Sequence, residues 1–178
     1  ILPQLGIGGM QIFAAEAPGP STDKLHPRIT DTAKRLWLIY FTYTAVETLL
    51  LTVAGMSFFD AINHSLSTLS TGGFSTKNAS VAHWNDQPVI QYIIIVFMFL
   101  AGTNFVLSYF AFKGKVQKII RDEELKLYFK FILTFTVFTA LIIYFKADFS
   151  MSSIDHPMVW GRAESSLRHA LFQVLTVV

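Results

Sequence analysis

The chain alternates between long apolar stretches and short segments in which polar residues gather. Three stretches are long: Leu36 to Phe59, Pro88 to Phe112 and Tyr128 to Phe145. An α-helix rises about 1.5 Å per residue, so about 20 apolar residues cross the roughly 30 Å hydrocarbon core of a bilayer. Each stretch is therefore predicted to be a transmembrane helix, and the chain is predicted to be an all-α membrane protein.

Two shorter segments, Phe58 to Leu69 and Ser165 to Val178, are moderately apolar and follow polar, turn-like stretches. Their length is typical of re-entrant segments rather than of complete spans. In the first segment Ser57 precedes Asp60 by three positions, which predicts a capping box in which Asp replaces the usual Glu. Both segments are predicted to be half-helices that dip into the membrane.

Composition strengthens the membrane assignment. The chain is 52% hydrophobic and only 15% charged, whereas a soluble domain is about 25% charged. It contains no cysteine, which excludes disulfides and thiolate chemistry, and its net charge of +2 is too small to indicate a nucleic-acid partner. Because it starts without Met and stops inside an apolar run, we expect the chain to be an internal piece of a longer protein.

Basic residues gather in two segments, one before the first long stretch and one between the second and third. The positive-inside rule places such segments in the cytoplasm, so residues 60–87 and 146–178 are predicted to face the outside. The first segment holds Lys24, Arg28, Lys34 and Arg35, and the second holds Lys113, Lys115, Lys118, Arg121, Lys126 and Lys130.

A run of Ser, Thr and Gly, from Ser67 to Thr76, follows the first half-helix. Non-helical backbone at membrane depth is tolerated where it lines a water-filled or ion-filled path, and selectivity filters use its carbonyl oxygens to replace the water shell of potassium. We expect Thr71 to Phe74 to be extended with their carbonyl oxygens facing a common axis, and Gly73 to adopt a φ that is costly for other residues, which glycine can supply. The run is therefore a candidate filter, although an ordinary Ser/Thr/Gly loop on the outer surface would have the same composition.

Three stretches in the first half of the chain share their order and spacing with a known family. On these stretches the chain resembles the Trk/Ktr/HKT superfamily of potassium transporters, and within it the bacterial TrkH branch. The likeness weakens after about residue 110. The stretches are residues 5–11 with 15–20, residues 32–40, and residues 54–56, 59–62 and 72–76.

The resemblance implies a potassium-channel-like pore of four helix–pore helix–helix repeats, of which this chain holds a part. Residues 1–31 would be the end of repeat one and a cytoplasmic linker, and residues 32–112 the complete second repeat. Residues 113–127 would be a second linker, and residues 128–178 the start of repeat three, which stops before its filter.

The resemblance also implies which residues bind the ion and what surrounds the protein. Gly73 matches the filter glycine that favours potassium, with Thr71, Gly72 and Phe74 beside it, and potassium would bind their backbone carbonyls. No cofactor is implied. The implied partners are the lipid bilayer of the bacterial inner membrane, a second copy of the full-length protein, and a cytoplasmic nucleotide-binding regulatory subunit.

Two other polar groups lie inside the predicted spans. Glu47 is mid-span, where a carboxyl group is a functional candidate, although a neutral or hydrogen-bonded Glu against a neighbouring helix would also explain it. Gly102, Thr103 and Asn104 interrupt the second span, which favours hydrogen bonding and close packing between helices, and a role beside a gate is the alternative.

The leading hypothesis is potassium uptake across the cytoplasmic membrane by a non-enzymatic pore. Two alternatives stay open: a sodium-permeable or weakly selective relative, and a membrane scaffold or enzyme with a structural Gly-Gly loop.

Overall fold

The computed structural model describes residues 29–114, 116–146 and 160–177. Within these ranges the regular structure is helical, as predicted, and no strand is present. Three parts of the chain lie outside the described residues: the predicted end of repeat one, most of the predicted first linker, and residues 147–159. The helices are α1 (Ile29–Val53), α2 (Phe58–Leu69), a 3₁₀ helix (Ser80–Trp84), α3 (Pro88–Gly102), α4 (Phe105–Phe112), α5 (Val116–Arg121), α6 (Glu123–Lys146) and α7 (Arg162–Val177).

Among the described residues, two helices are long and apolar enough to cross a membrane, α1 over Ala33–Val53 and α6 over Glu123–Lys146. Many of their apolar side chains point outward rather than into a protein core: Val53, Phe138 and Phe145 are 80%, 64% and 75% exposed. A soluble protein does not present large apolar patches of this kind to water, so these faces suit lipid or further membrane helices.

The first predicted span ends earlier than its apolar pattern suggested, at Val53 rather than Phe59. Gly55 has a φ of +107° just beyond the helix. The Met56 N–H donates to the Leu51 carbonyl at 3.0 Å, and the Gly55 N–H donates to the Thr52 carbonyl at 3.1 Å. This is a Schellman motif, in which a left-handed residue ends the helix. The apolar sequence continues past the end of α1 because Met56, although outside the helix, is buried against Leu51.

The second predicted span is divided into α3 and α4 by a break at residues 103 and 104. Gly102 ends α3 at a point where the Tyr128 hydroxyl of α6 approaches so closely that a Cβ would require the tyrosine side chain to shift. The small residue at this position therefore serves helix packing, which is one of the two roles considered for it.

Two small cores hold the short helices in place. One joins the end of α1 and the start of α2 to the 3₁₀ helix and α3, and the other joins α3 to α6 and α7. Helix α3 contributes to both, so it supports both short helices, α2 and α7. The first core contains Leu51, Met56, Ala61, Trp84, Ile90 and Ile94, and the second contains Ile95, Ile132, Val174 and Leu175.

The basic segments meet at one tyrosine. The Arg35 guanidinium donates to the Tyr109 hydroxyl at 2.8 Å, and the Lys113 ammonium lies 4.9 Å from the centre of the same ring. Cations over an aromatic face are attracted by its quadrupole. The contact brings together the two segments that the positive-inside rule assigns to one side of the membrane.

Candidate ion-selectivity site

The candidate filter begins where α2 ends. The Thr71 N–H donates to the Thr68 carbonyl, the Gly72 N–H donates to the Ser67 carbonyl at 2.8 Å, and Thr71 has a φ of +53°. This is again a Schellman motif, but the left-handed position is held by threonine instead of glycine. A non-glycine residue is sterically strained at such a φ, so contacts with neighbouring residues stabilise this helix end.

The chain from Thr71 to Phe74 is non-helical and exposed. We expected these four residues to be extended, and that expectation is wrong for Thr71 and for Gly73, whose φ angles are +53° and +68°. The expectation that Gly73 adopts a conformation costly for other residues is confirmed, because L side chains rarely adopt that φ. The Phe74 ring is 80% exposed and passes close to Gly72.

Ser67 holds the non-helical segment from Thr71 to Thr76, here called the filter strand, against helix α2. Its carbonyl oxygen accepts from the Gly72 N–H, and its Oγ accepts from the Phe74 N–H at 2.6 Å. One residue in the last turn of the helix therefore fixes two amide groups of the strand.

A second set of contacts holds the far end of the strand to the start of α2. The Thr76 hydroxyl donates to Asp60 Oδ1 at 2.5 Å, and the Lys77 ammonium lies 3.2 Å from Oδ2. The Ser57 hydroxyl donates to the same carboxylate, and its Oγ accepts from the Asp60 N–H, which confirms the predicted cap. The bonds from Thr76, Ser57 and Lys77 lower the pKa of Asp60 to about 2, so the carboxylate stays charged at neutral pH.

His64 connects the middle of α2 to the strand. Its Nδ1 lies 2.8 Å from the Asp60 carbonyl, which can only accept, so Nδ1 donates. In the neutral ring Nε2 then accepts from the Ser75 hydroxyl at 3.1 Å. The buried ring also packs edge-on against Trp84 of the 3₁₀ helix. The strand is thus attached to α2 near both of its ends and at Ser75.

A cavity of about 430 Å³ lies beside the filter strand. The C-terminal end of α2 borders it through Thr68, and Leu175 to Val177 of α7 line another side. The C-terminus of a helix carries a partial negative charge, so the end of α2 favours a cation at this cavity.

The second short helix, α7, carries a buried charge. Arg168 is 1% exposed; its Nε donates to Glu164 at 2.9 Å and its Nη1 to Gln91 of α3. The Tyr92 hydroxyl donates to the same Glu164 oxygen at 2.9 Å, and Gln91 donates onward to Asn85. An isolated buried charge is costly unless it is paired and hydrogen-bonded, and Arg168 has both kinds of partner.

Glu47 is fully buried, and neither carboxyl oxygen has a hydrogen-bond partner among the described residues. Thr68 of α2 contributes a polar side chain to its surroundings, while the Thr48 hydroxyl next to it in sequence is likewise unpartnered within those residues. Glu47 thus lies against the neighbouring helix α2, as the structural interpretation of this residue expects.

Sequence reasoning placed the strand correctly but missed the side chains that hold it. Asp60 and Thr76 were both recognised as parts of family stretches, yet nothing in the sequence indicated that they bond to each other. The buried Arg168 was counted among basic residues of the outer side. An acidic residue four positions before it, Glu164, was the available signal.

The chain is similar to known proteins in both sequence and structure. The family model TrkH, described as a cation transport protein, matches residues 1–152. The chain belongs to the TrkH family. It is 41% identical to the Trk system potassium uptake protein TrkH of Salmonella typhimurium, over 99% of this chain and 35% of that protein. The corresponding protein of Escherichia coli K12 is 40% identical over the same shares.

A solved structure supports the TrkH fold. The crystal structure of the potassium transporter TrkH from Vibrio parahaemolyticus matches with a TM-score of 0.71 and 31% identity, over 86% of this chain and 31% of that one. This TrkH-family chain therefore spans about a third of the length of the curated relatives it matches.

Proposed function

We propose that this chain is part of a potassium uptake pathway, and that the backbone carbonyls of Thr71, Gly72, Gly73 and Phe74 select the ion. The observation that carries the proposal is the filter strand itself: a non-helical Thr-Gly-Gly-Phe segment that directly follows a short helix and is bonded back to it by its amides. Amides held in this way leave carbonyl oxygens available for a cation.

The names of the relatives add support. The Salmonella and Escherichia coli proteins are called potassium uptake proteins, and the Vibrio protein is called a potassium transporter. By this reasoning the protein is a multi-pass component of a bacterial inner membrane and acts in transport rather than catalysis. No cofactor takes part, and potassium is the substrate.

The division of the chain belongs to the same proposal. Residues 32–112 form one complete repeat, residues 128–178 begin the next, and residues 1–31 and 113–127 are connections on the cytoplasmic side. The full-length protein forms a homodimer and binds a nucleotide-binding regulatory subunit at that side. Neither partner is a nucleic acid.

The test is the substitution Gly73→Ser in the full-length protein, reconstituted in liposomes for potassium and sodium flux. A Cβ at Gly73 meets no atom within 4 Å, so the side chain fits, but the φ of +68° is strained for serine and the carbonyl is expected to turn. We expect the preference for potassium over sodium to fall about tenfold or more, which corresponds to about 1.4 kcal/mol of lost discrimination.

Gly114→Ser is a matched control. Gly114 also has a φ of +68° and open space around its Cβ position, but it lies in the turn after α4. Both substitutions impose the same local strain, so only Gly73→Ser should alter ion preference. Unchanged preference in a well-expressed Gly73→Ser protein would assign the Gly-Gly segment a structural role. Equal potassium and sodium flux through the unaltered protein would favour the weakly selective alternative.

A further inference from the structure

Ser67 makes two hydrogen bonds to the filter strand, and both are accepted from backbone amides. The Gly72 N–H reaches the Ser67 carbonyl at 2.8 Å, and the Phe74 N–H reaches its Oγ at 2.6 Å. The two amides alternate along the strand.

The direction of these bonds fixes the direction of two carbonyls. Every peptide bond of the described chain is trans, and in a trans peptide the N–H and the preceding C=O point in opposite directions. Because the Gly72 and Phe74 amides point towards α2, the carbonyls of Thr71 and Gly73 point away from it. These are two of the four carbonyls assigned to the ion.

The side chain of Ser67 matters most at Gly73. Nothing lies within 4 Å of the Cβ position of Gly73, and glycine populates positive and negative φ with similar ease. The peptide between Gly73 and Phe74 can therefore rotate unless its amide is held. The Ser67 Oγ is the group that holds it.

We propose that Ser67 is a positioning residue for ion selectivity, whose hydroxyl keeps the Gly73 carbonyl aimed at the ion. The inference rests on the proposed function, because it assigns a task to a residue outside the four that bind potassium. A positioning role and a purely structural role predict different results. If Ser67 positions the carbonyl, loss of its hydroxyl should change the choice between ions more than it changes folding.

The experiment compares Ser67→Ala with Ser65→Ala in the full-length protein, measuring the potassium-to-sodium flux ratio in liposomes and the melting temperature in detergent. Ser65 is buried on the same helix, and its hydroxyl donates only to the Ala61 carbonyl. Because Ser67→Ala removes one hydrogen bond to the strand, we expect it to lower the flux ratio about threefold to tenfold. Ser65→Ala should leave the ratio unchanged.

A second pair of variants keeps the test decisive if Ser67→Ala folds poorly. Threonine and valine have the same shape, but only threonine carries a hydroxyl. Ser67→Thr should retain the flux ratio and Ser67→Val should lose it, with similar melting temperatures. Equal ratios in this pair would overturn the proposal, as would an equal loss in Ser65→Ala.

The outcome also separates this inference from the proposed function. If Gly73→Ser alters ion preference and Ser67→Ala does not, the filter assignment stands and the positioning role is wrong. If neither substitution alters it, the filter assignment fails and the positioning role fails with it.

Discussion

The two short helices carry the same kinds of side chain at the same positions but use them differently. Helix α2 has an acid, Asp60, as its third residue and a base, His64, as its seventh, and α7 has Glu164 and Arg168 at those positions. The equivalence appears when the first residues of the two helices, Phe58 and Arg162, are aligned.

In α2 both side chains bond to the chain that follows the helix. Asp60 accepts from Thr76 and pairs with Lys77, and His64 binds Ser75. In α7 the acid and base bond to each other and to helix α3. The comparison teaches that one pattern can serve two purposes: holding a backbone strand in position, or holding a helix against its neighbour.

The largest effect is expected where the charge is most buried. Arg168→Met leaves the Glu164 carboxylate without its charged partner and the Gln91 carbonyl without its donor, and removal of one member of a buried pair costs about 3–5 kcal/mol. We expect a large fall in melting temperature for the full-length protein in detergent. Adding Glu164→Gln to the variant should restore part of the stability, because it removes the unpaired charge.

A control on the same helix sharpens this prediction. Arg162 lies over the Tyr144 ring and is exposed, so Arg162→Ala should cost at most about 1 kcal/mol. If Arg168→Met melts like Arg162→Ala, the buried network does not hold α7 against α3, and the comparison with α2 loses one of its sides.

A smaller effect is expected at His64, whose partner is a loop residue. His64→Ala removes the bond to Ser75 and a ring contact with Trp84, and we expect about 1–3 kcal/mol of lost stability together with weaker ion preference. His83→Ala is the matched control, since His83 also packs edge-on against Trp84 but is exposed. Equal losses of ion preference in both variants would contradict a role for His64 in holding the strand.

The smallest effect is expected from acid. Asp60 has its pKa lowered from 3.8 to about 2, chiefly by the Thr76 and Ser57 hydroxyls. A lowered pKa means that the folded protein binds fewer protons than the unfolded one, so the contribution is complete above pH 4 and is lost as pH falls towards 2. Melting temperature should therefore be insensitive to this group between pH 7 and 5.

The variant Asp60→Asn identifies that contribution. Below pH 4 the unaltered protein should lose stability relative to Asp60→Asn, whose side chain does not titrate. Parallel melting curves for the two proteins between pH 4 and 3 would show that the Asp60 carboxylate does not stabilise the strand.

The apolar pattern predicted the helices well and their interruptions poorly. Helix α2 has the predicted bounds, Phe58 to Leu69, because a capping pattern marks its start and a Ser/Thr/Gly run marks its end. The apolar stretch of the first span hides the end of α1, since Met56 is buried just as a helical residue would be. The sequence signal for that end was the glycine at position 55, because glycine readily adopts the left-handed conformation that ends a helix.

Long-range partners could not be predicted. Gly73 was proposed as the filter glycine because the residues next to it in sequence match the family stretch. Ser67, in contrast, reaches Phe74 only after the chain has turned at Thr71. Arg168 and Gln91 are 77 residues apart, and no periodicity relates them. Helical and capping patterns are local, so they place elements along the chain without specifying which side chains meet.

The alternation of amides at Ser67 also bears on charge discrimination. With its Gly72 and Phe74 amides turned towards the helix, the filter strand presents the Thr71 and Gly73 carbonyl oxygens on its other side. If this strand lines the ion path, as proposed, these two oxygens attract cations and repel chloride, which must be solvated by donors. Backbone polarity would then contribute to anion rejection without an acidic side chain among Thr71, Gly72, Gly73 and Phe74.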